Sequence, residues 1–86
     1  MNHTEALVNL TWMGRNADLA QPVFYLATDA EIRAWVTEAV RFGGVSGLPA
    51  DGPVDLRDFV VDRFPASETI PYNRIFVRPK TPFGAA

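Results

Sequence analysis

The stretch TDAEIRAWVTEAVRFGG, residues 28–44, contains a start signal, an apolar rhythm and a stop signal for one amphipathic helix. The Thr28 side chain can accept the backbone N–H of Glu31 while the Glu31 carboxylate accepts that of Thr28, which forms a capping box. Gly43 supplies the left-handed residue that commonly ends a helix. Apolar residues recur at spacings of three and four and predict one stripe facing the core: Ile32, Trp35, Val36, Ala39 and Val40.

Charged residues of the same helix are spaced for ion pairs with one another. Asp29 and Arg33 form an i,i+4 pair, and Glu38 and Arg41 form an i,i+3 pair. Each such pair stabilises a helix by about 0.2–0.5 kcal/mol. We therefore expect these charges to support the helix and not to take part in chemistry.

Two segments before the helix have the properties of strands. Residues 5–13, EALVNLTWM, alternate with a period of two, and residues 23–28, VFYLAT, are rich in β-branched and aromatic side chains. The segment between them, residues 14–22, is rich in turn formers and is predicted to be a loop. Trp12 and Trp35 are expected in the core, because a short chain needs large apolar side chains to fill its interior.

Two more strands are predicted after the helix. Residues 43–53, GGVSGLPADGP, are dense in glycine and proline and have no period, which indicates an exposed connection. Residues 58–64, DFVVDRF, and residues 74–78, RIFVR, alternate as strands do.

The resulting order, ββαββ, predicts an α+β fold in which one helix packs across one face of a four-stranded mixed sheet. We expect a single domain over residues 1–86, with residues 78–86 as an extended tail. The order resembles the β-grasp topology of ubiquitin, which implies that the first and last strands lie parallel and adjacent at the centre. Two hairpins in one antiparallel sheet are the alternative. The ending Phe83-Gly84-Ala85-Ala86 is not the exposed diglycine of ubiquitin-like modifiers, which argues against conjugation.

Three short stretches resemble small uncharacterised proteins of bacteriophages that infect actinobacteria. They are WVTEAVR at residues 35–41, FVVDRF at residues 59–64 and RPKTPFG at residues 78–84. This resemblance implies a phage-encoded protein of unknown role in the cytoplasm of a bacterial host. It implies no catalytic or binding residue.

Composition narrows the class of protein. Hydrophobic residues make up 48% of the chain and charged residues 21%, which is typical of a globular protein. No cysteine is present for disulfides or thiolate metal sites, and no signal peptide or membrane span is predicted. The net charge of −2 argues against binding nucleic acid without regard to sequence, because that requires clustered cations.

Few residues have the types and spacing that catalysis or metal binding needs. His3 is the only histidine, and Ser46 and Ser67 lie outside any nucleophile elbow. The acidic residues of the later loop and strand do not have the spacing of a calcium loop and alternate with arginines: Asp51, Asp55, Asp58 and Asp62. We therefore expect a non-enzymatic protein with no cofactor and no metal.

Aromatic and basic residues are concentrated late in the chain, where both types are favoured at interfaces. They predict a surface for another protein or a second copy of the chain, formed by Arg63, Tyr72, Arg74, Phe76, Arg78 and Phe83. The alternative is a small nucleic-acid-binding or regulatory protein that uses Arg74, Arg78 and Lys80 beside stacking rings. Pro79 to Pro82 also match the P-x-x-P pattern of polyproline ligands.

Overall fold

The computed structural model describes residues 4–45 and 54–80 and shows one helix packed on a mixed sheet. The elements are β1 (Glu5–Trp12), β2 (Arg15–Asp18), β3 (Val23–Phe24), α1 (Asp29–Arg41), β4 (Val60–Phe64) and β5 (Asn73–Arg78). The strands lie in the order β2-β1-β5-β4, and β3 also pairs with β1. The predicted α+β class, with one helix on a mixed sheet, is confirmed.

The first and last strands form the centre of the sheet. β1 and β5 are parallel, with Val8 opposite Ile75 and Leu10 opposite Val77. The other strand pairs are antiparallel. The alternative of two hairpins in one antiparallel sheet is therefore wrong, whereas membership of a β-grasp family stays a prediction.

The segment predicted as a loop over residues 14–22 contains a strand. β2 returns along β1 through a two-residue turn in which Met13 has φ 50° and Gly14 has φ 77°. Positive φ at both central positions is the geometry that matches the twist of a tight hairpin. The sequence did not reveal this turn because methionine is uncommon in the left-handed conformation.

The second predicted strand is much shorter than expected. Of residues 23–28, only Val23 and Phe24 form a strand, paired with Ala6 and Glu5 of β1. The Ala27 N–H then donates to the Phe24 carbonyl at 3.2 Å, which turns the chain toward the helix. Residues 25–28 therefore leave the sheet and lead into the cap of α1, although their side chains favour a strand.

Both ends of α1 form as predicted. The Glu31 N–H donates to Thr28 Oγ1 at 3.1 Å, and the Thr28 N–H donates to Glu31 Oε1 at 3.0 Å. At the other end Gly43 has φ 71°, and the Gly44 N–H donates to the Ala39 carbonyl at 2.7 Å. Together with the bond from the Gly43 N–H to the Val40 carbonyl, this is a Schellman motif.

The core lies between α1 and one side of the sheet. Twelve hydrophobic residues are buried there: Ala6, Val8, Leu10, Leu19, Ala27, Ile32, Val36, Val40, Val45, Leu56, Ile75 and Val77. Trp12 packs against this core, and the centroids of the Trp12 and Phe59 rings are 5.8 Å apart. Val45 and Leu56, which lie in the connection between α1 and β4, complete the core.

The expectation that Trp35 lies in the core is wrong, because 41% of this residue is exposed. The buried stripe of the helix runs through Ile32, Val36 and Val40. At 3.6 residues per turn, position 35 lies about 100° from the middle of that stripe. Trp35 therefore lies at the edge of the core, beside Pro22, Val23 and Phe24.

The two later strands begin within two residues of their predicted starts. β4 begins at Val60, since residue 59 precedes the ladder, and β5 begins at Asn73. Asn73 is buried and receives the Ala66 N–H at 2.8 Å while donating to the Glu5 carbonyl at 3.1 Å. Among the described residues, the helix is neither long nor apolar enough to span a membrane.

Candidate interaction surface

The side of the sheet opposite α1 is called the open face here. Alternation along each strand decides which residues reach it. In β5, Ile75 and Val77 are buried on the helix side, so Arg74, Phe76 and Arg78 lie on the open face. The ladder places further residues of the neighbouring strands on the same side: Leu7, Asn9, Thr11, Asn16, Asp18, Val60, Asp62 and Phe64.

Three residues of β4 and β5 form an aromatic–cation cluster on this face. Phe64 lies opposite Arg74 in the ladder, and the Phe64 and Phe76 ring centroids are 5.3 Å apart. The Arg74 guanidinium carbon lies 5.4 Å from the Phe64 centroid and 5.7 Å from the Phe76 centroid. Both distances are within the range of cation–π contacts. These three residues are the open-face cluster.

The other half of the open face is polar and internally bonded. Asn9 Nδ2 donates to Asn16 Oδ1 at 2.6 Å and to Asp18 Oδ1 at 2.8 Å. The Asn16 amide in turn donates to Thr11 Oγ1 at 3.4 Å. The side chains of β1 and β2 thus hold one another in a fixed arrangement beside the aromatic half.

A concavity of about 470 Å³ lies where the two halves meet. Its lining combines apolar, aromatic, amide and charged residues: Leu7, Val8, Asn9, Asp18, Leu19, Tyr72, Arg74 and Phe76. Tyr72 and Leu7 are partly exposed at its border. Three predicted surface residues, Tyr72, Arg74 and Phe76, therefore meet here.

Arg78 and Arg74 lie on the same face of β5 but have different partners. Arg78 donates to Asp62 Oδ2 through Nη2 at 2.6 Å and through Nε at 2.9 Å. Arg74 makes no hydrogen bond or ion pair within residues 4–45 and 54–80, and its Nε is buried without an acceptor. Of the two, only Arg74 has no carboxylate bonded to it within the described residues.

Arg63, which was predicted to share this surface, lies on the other side of the sheet. Its Nη2 donates to the Ala27 carbonyl at 2.6 Å, its Nε to the Tyr25 carbonyl at 3.4 Å, and its Nη1 to Asp29 Oδ1 at 2.5 Å. It lies opposite Ile75 in the ladder, which accounts for its orientation toward the helix side. Arg63 joins β4 to the start of α1.

The helix charges are paired differently from the expectation. Asp29 binds Arg63 and not Arg33, whose Nη1 donates instead to the Phe59 carbonyl at 3.3 Å. The predicted Glu38–Arg41 pair is present at 3.5 Å. Asp29 thus pairs with Arg63, which is distant in sequence, and not with Arg33, which is four residues away.

Two predicted surface elements are not fully described. Phe83 lies outside residues 4–45 and 54–80, as do Pro82 and the rest of the tail. Phe64, by contrast, was not predicted and belongs to the open-face cluster. The alternation in FVVDRF, which puts Phe64 and Arg63 on opposite sides of β4, was the signal that could have identified it.

Sequence reasoning also missed a second exposed apolar surface, around Trp35. Phe24 and Trp35 line a shallow concavity with Pro22 and Val23, and both rings are partly exposed. On the helix side another concavity is bordered by Asp55 and Arg57. The Arg57 guanidinium donates to Asp55 Oδ2 at 2.8 Å and lowers the pKa of that carboxyl, so these charges are already matched.

Within the part of the chain that the structure describes, no three acidic or histidine side chains converge on a position that could hold an ion. Asp55 and Asp62 are each bonded to an arginine, whereas Asp51 and His3 lie outside the described residues.

Comparison of this chain with family models, with curated proteins and with solved structures finds no match. The resemblance to actinobacteriophage proteins therefore stays a prediction.

Proposed function

We propose that this chain is a non-enzymatic interaction module that binds another protein, or a second copy of itself, through the open face of its sheet. The observation that carries the proposal is the open-face cluster, Phe64, Arg74 and Phe76, exposed in part beside a concavity. Aromatic and arginine side chains are enriched at the centre of interfaces and among the residues that dominate binding energy.

The neighbouring polar half also suits an interface. Interfaces commonly surround an apolar centre with a polar rim. Here the Asn9, Asn16 and Asp18 side chains are already bonded to one another, so covering them leaves few unsatisfied groups. The edge of β4 is a second attachment point, because β4 is the last strand in the order of the sheet and no further strand of residues 4–45 and 54–80 pairs with it.

Site-specific photocrosslinking in cells that produce the protein tests this function. Phe64, which is 42% exposed, is replaced by p-benzoylphenylalanine, and the matched control carries the same group at Phe42, which is 76% exposed at the end of the helix. We expect a discrete protein adduct from position 64 and not from position 42. An adduct of twice the chain's mass identifies a second copy, which sedimentation of the purified protein over a concentration series would confirm.

The opposite result would refute the proposal. If position 64 gives no adduct, or if positions 64 and 42 give the same adducts, the open face is not a specific protein surface. This experiment does not depend on the charge of Arg74, so it is independent of the more detailed inference below.

Nucleic-acid binding is the second candidate, favoured by the two phenylalanine rings next to Arg74 and Arg78 on an open sheet face. Single-strand binders combine stacking rings with cations in this way. Against this, Asp62 neutralises Arg78. Fluorescence anisotropy with a labelled oligothymidine at several salt concentrations distinguishes the two functions: saturable binding with a steep salt slope, lost when Arg74, Arg78 and Lys80 are replaced by Gln, would favour nucleic acid.

A further inference from the structure

We infer that the open face recognises a single carboxylate of its partner protein, an aspartate or glutamate side chain that binds the Arg74 guanidinium inside the concavity. This inference rests on the proposed function and adds the chemistry of the partner. The described residues leave the hydrogen-bonding capacity of the Arg74 guanidinium unused.

A guanidinium has five N–H donors and no acceptor. Arg57, Arg63 and Arg78 each use theirs on a carboxylate, at distances from 2.5 to 2.8 Å. Arg74 uses none within residues 4–45 and 54–80: its Nε is covered by the protein, whereas its two Nη atoms are neither bonded nor buried. Polar groups in folded proteins generally have a partner, so these Nη groups are the donors that an acceptor supplied from outside would satisfy.

The position of Arg74 suits an incoming planar anion. Contacts with the Phe64 and Phe76 rings hold its guanidinium carbon 5.4 and 5.7 Å from their centroids, without any hydrogen bond. The donors of a guanidinium lie in its plane, and their fork matches the two oxygens of a carboxylate. Because the rings exclude water on their side, a charge-assisted bond here is stronger than on an open surface.

The walls of the concavity favour one negative charge over several. Asp18 lines the same concavity as Arg74, and the Asn9 amide holds its carboxylate at 2.8 Å. A like charge nearby disfavours an incoming anion, and the cost rises with the charge of that anion. A carboxylate carries one charge and a phosphate monoester up to two, so a concavity that holds one unpaired arginine and one nearby aspartate favours the carboxylate.

The rest of the lining indicates what surrounds this acid in the partner. Leu7, Tyr72 and Phe76 contribute apolar and aromatic surface next to Arg74. Burial of apolar side chains against them would stabilise the complex and exclude water from the ion pair. The partner segment is therefore an acidic residue flanked by apolar residues, not a run of acids.

Titration of the ¹⁵N-labelled protein, followed by NMR, tests the inference with defined probes. The probes are the peptide acetyl-Leu-Glu-Phe-amide, its matched acetyl-Leu-Gln-Phe-amide, inorganic phosphate and an octathymidine. We expect the Glu peptide to shift the signals of Leu7, Tyr72, Arg74 and Phe76 and to bind about tenfold more tightly than the Gln peptide, the ratio that one charged hydrogen bond provides.

Two variants and one control complete the test. Arg74→Gln is expected to abolish the preference for the Glu peptide, whereas Arg57→Gln, in a loop next to the helix, is expected to retain it. Arg74→Lys, which keeps the charge without the planar fork, should retain part of the preference, about threefold. If Arg74→Gln does not give the spectrum of a folded protein, Arg74→Lys decides.

Several results would overturn the inference. These are equal affinities for the two peptides, a preference that survives Arg74→Gln, tighter binding of phosphate or octathymidine, and no binding of either peptide at millimolar concentration. A Gln peptide that binds at the same residues as tightly as the Glu peptide contradicts the carboxylate and leaves the protein-binding function intact, which the crosslinking experiment tests separately.

Discussion

Arg63 and Arg74 lie in neighbouring strands and carry the same charge, yet their surroundings give them opposite roles. Arg63 is directed to the helix side, where two backbone carbonyls and Asp29 accept its N–H groups. Arg74 is directed to the open face, where two rings contact it and no acceptor of the described chain does. We therefore expect substitution of Arg63 to affect stability, and substitution of Arg74 to affect binding.

Arg63→Ala is expected to lower the free energy of unfolding by about 2 kcal/mol, because hydrogen bonds to a charged group contribute about 1.5–3 kcal/mol. Urea denaturation measures this change. Arg57→Ala is the matched control, since the exposed Arg57–Asp55 pair should contribute little to the free energy of unfolding. Equal losses in the two variants would mean that Arg63 does not hold β4 to the start of α1.

The turn between β1 and β2 contains a residue whose substitution should increase the stability of the fold. Met13 adopts φ 50° and is 76% exposed, so it gains little packing in a conformation that most side chains avoid. Met13→Asn is expected to raise the free energy of unfolding by about 1 kcal/mol, because asparagine tolerates the left-handed region. Met13→Leu should leave stability unchanged, and an equal gain from Leu would contradict the conformational explanation.

At the scale of elements, the helix depends on its two ends as well as on its buried stripe. The hydrogen bond from the Thr28 backbone N–H lowers the pKa of Glu31, with a further contribution from the Thr28 hydroxyl. A lowered native-state pKa means that the ionised cap stabilises the fold above the ordinary glutamate pKa, about 4.3. That contribution is lost as the pH falls through the lowered value.

Glu31→Gln is therefore expected to lower the melting temperature at pH 7 and to change it less at pH 3, because the stabilisation by the ionised cap declines as the pH falls toward and through the lowered pKa of Glu31. Thermal melts of both proteins at the two pH values measure this difference. Thr28→Ala should cost about 1 kcal/mol, as loss of a cap usually does. A Glu31→Gln effect as large at pH 3 as at pH 7 would exclude ionisation as its cause.

Structure that depends on residues close together in the sequence could be predicted from it, and contacts between residues far apart in the sequence could not. The caps of α1 and the strands β1, β4 and β5 follow from residues within a few positions. β2 was missed because its turn uses methionine, and the pairing of Asp29 was missed because Arg63 is distant in sequence. For the candidate surface, alternation in β5 placed Arg74 and Phe76 on one side, and alternation in β4 could have indicated Phe64. That Phe64 lies opposite Arg74 required the register between β4 and β5.

At the scale of the molecule, the two central strands should be its most stable part. Side chains of β1 and β5 are buried against α1, whereas β2 has four residues at the end of the strand order. We expect the amides of Val8, Leu10 and Val77 to exchange with solvent about 100-fold more slowly than those of β2, since edges open without global unfolding. Amide exchange followed by NMR measures this, and equal protection of β1 and β2 would contradict it.

The parallel pairing of residues 5–12 with residues 73–78 has a consequence for biosynthesis. β1 leaves the ribosome first. Its apolar side chains lack the strand that they pair with until β5, which is translated after α1 and β4, has also emerged. Non-local pairing of this kind slows folding and leaves apolar surface of the nascent polypeptide exposed to solvent. Truncated translation products that lack β5 should therefore be substrates for chaperones and proteases rather than partly working proteins.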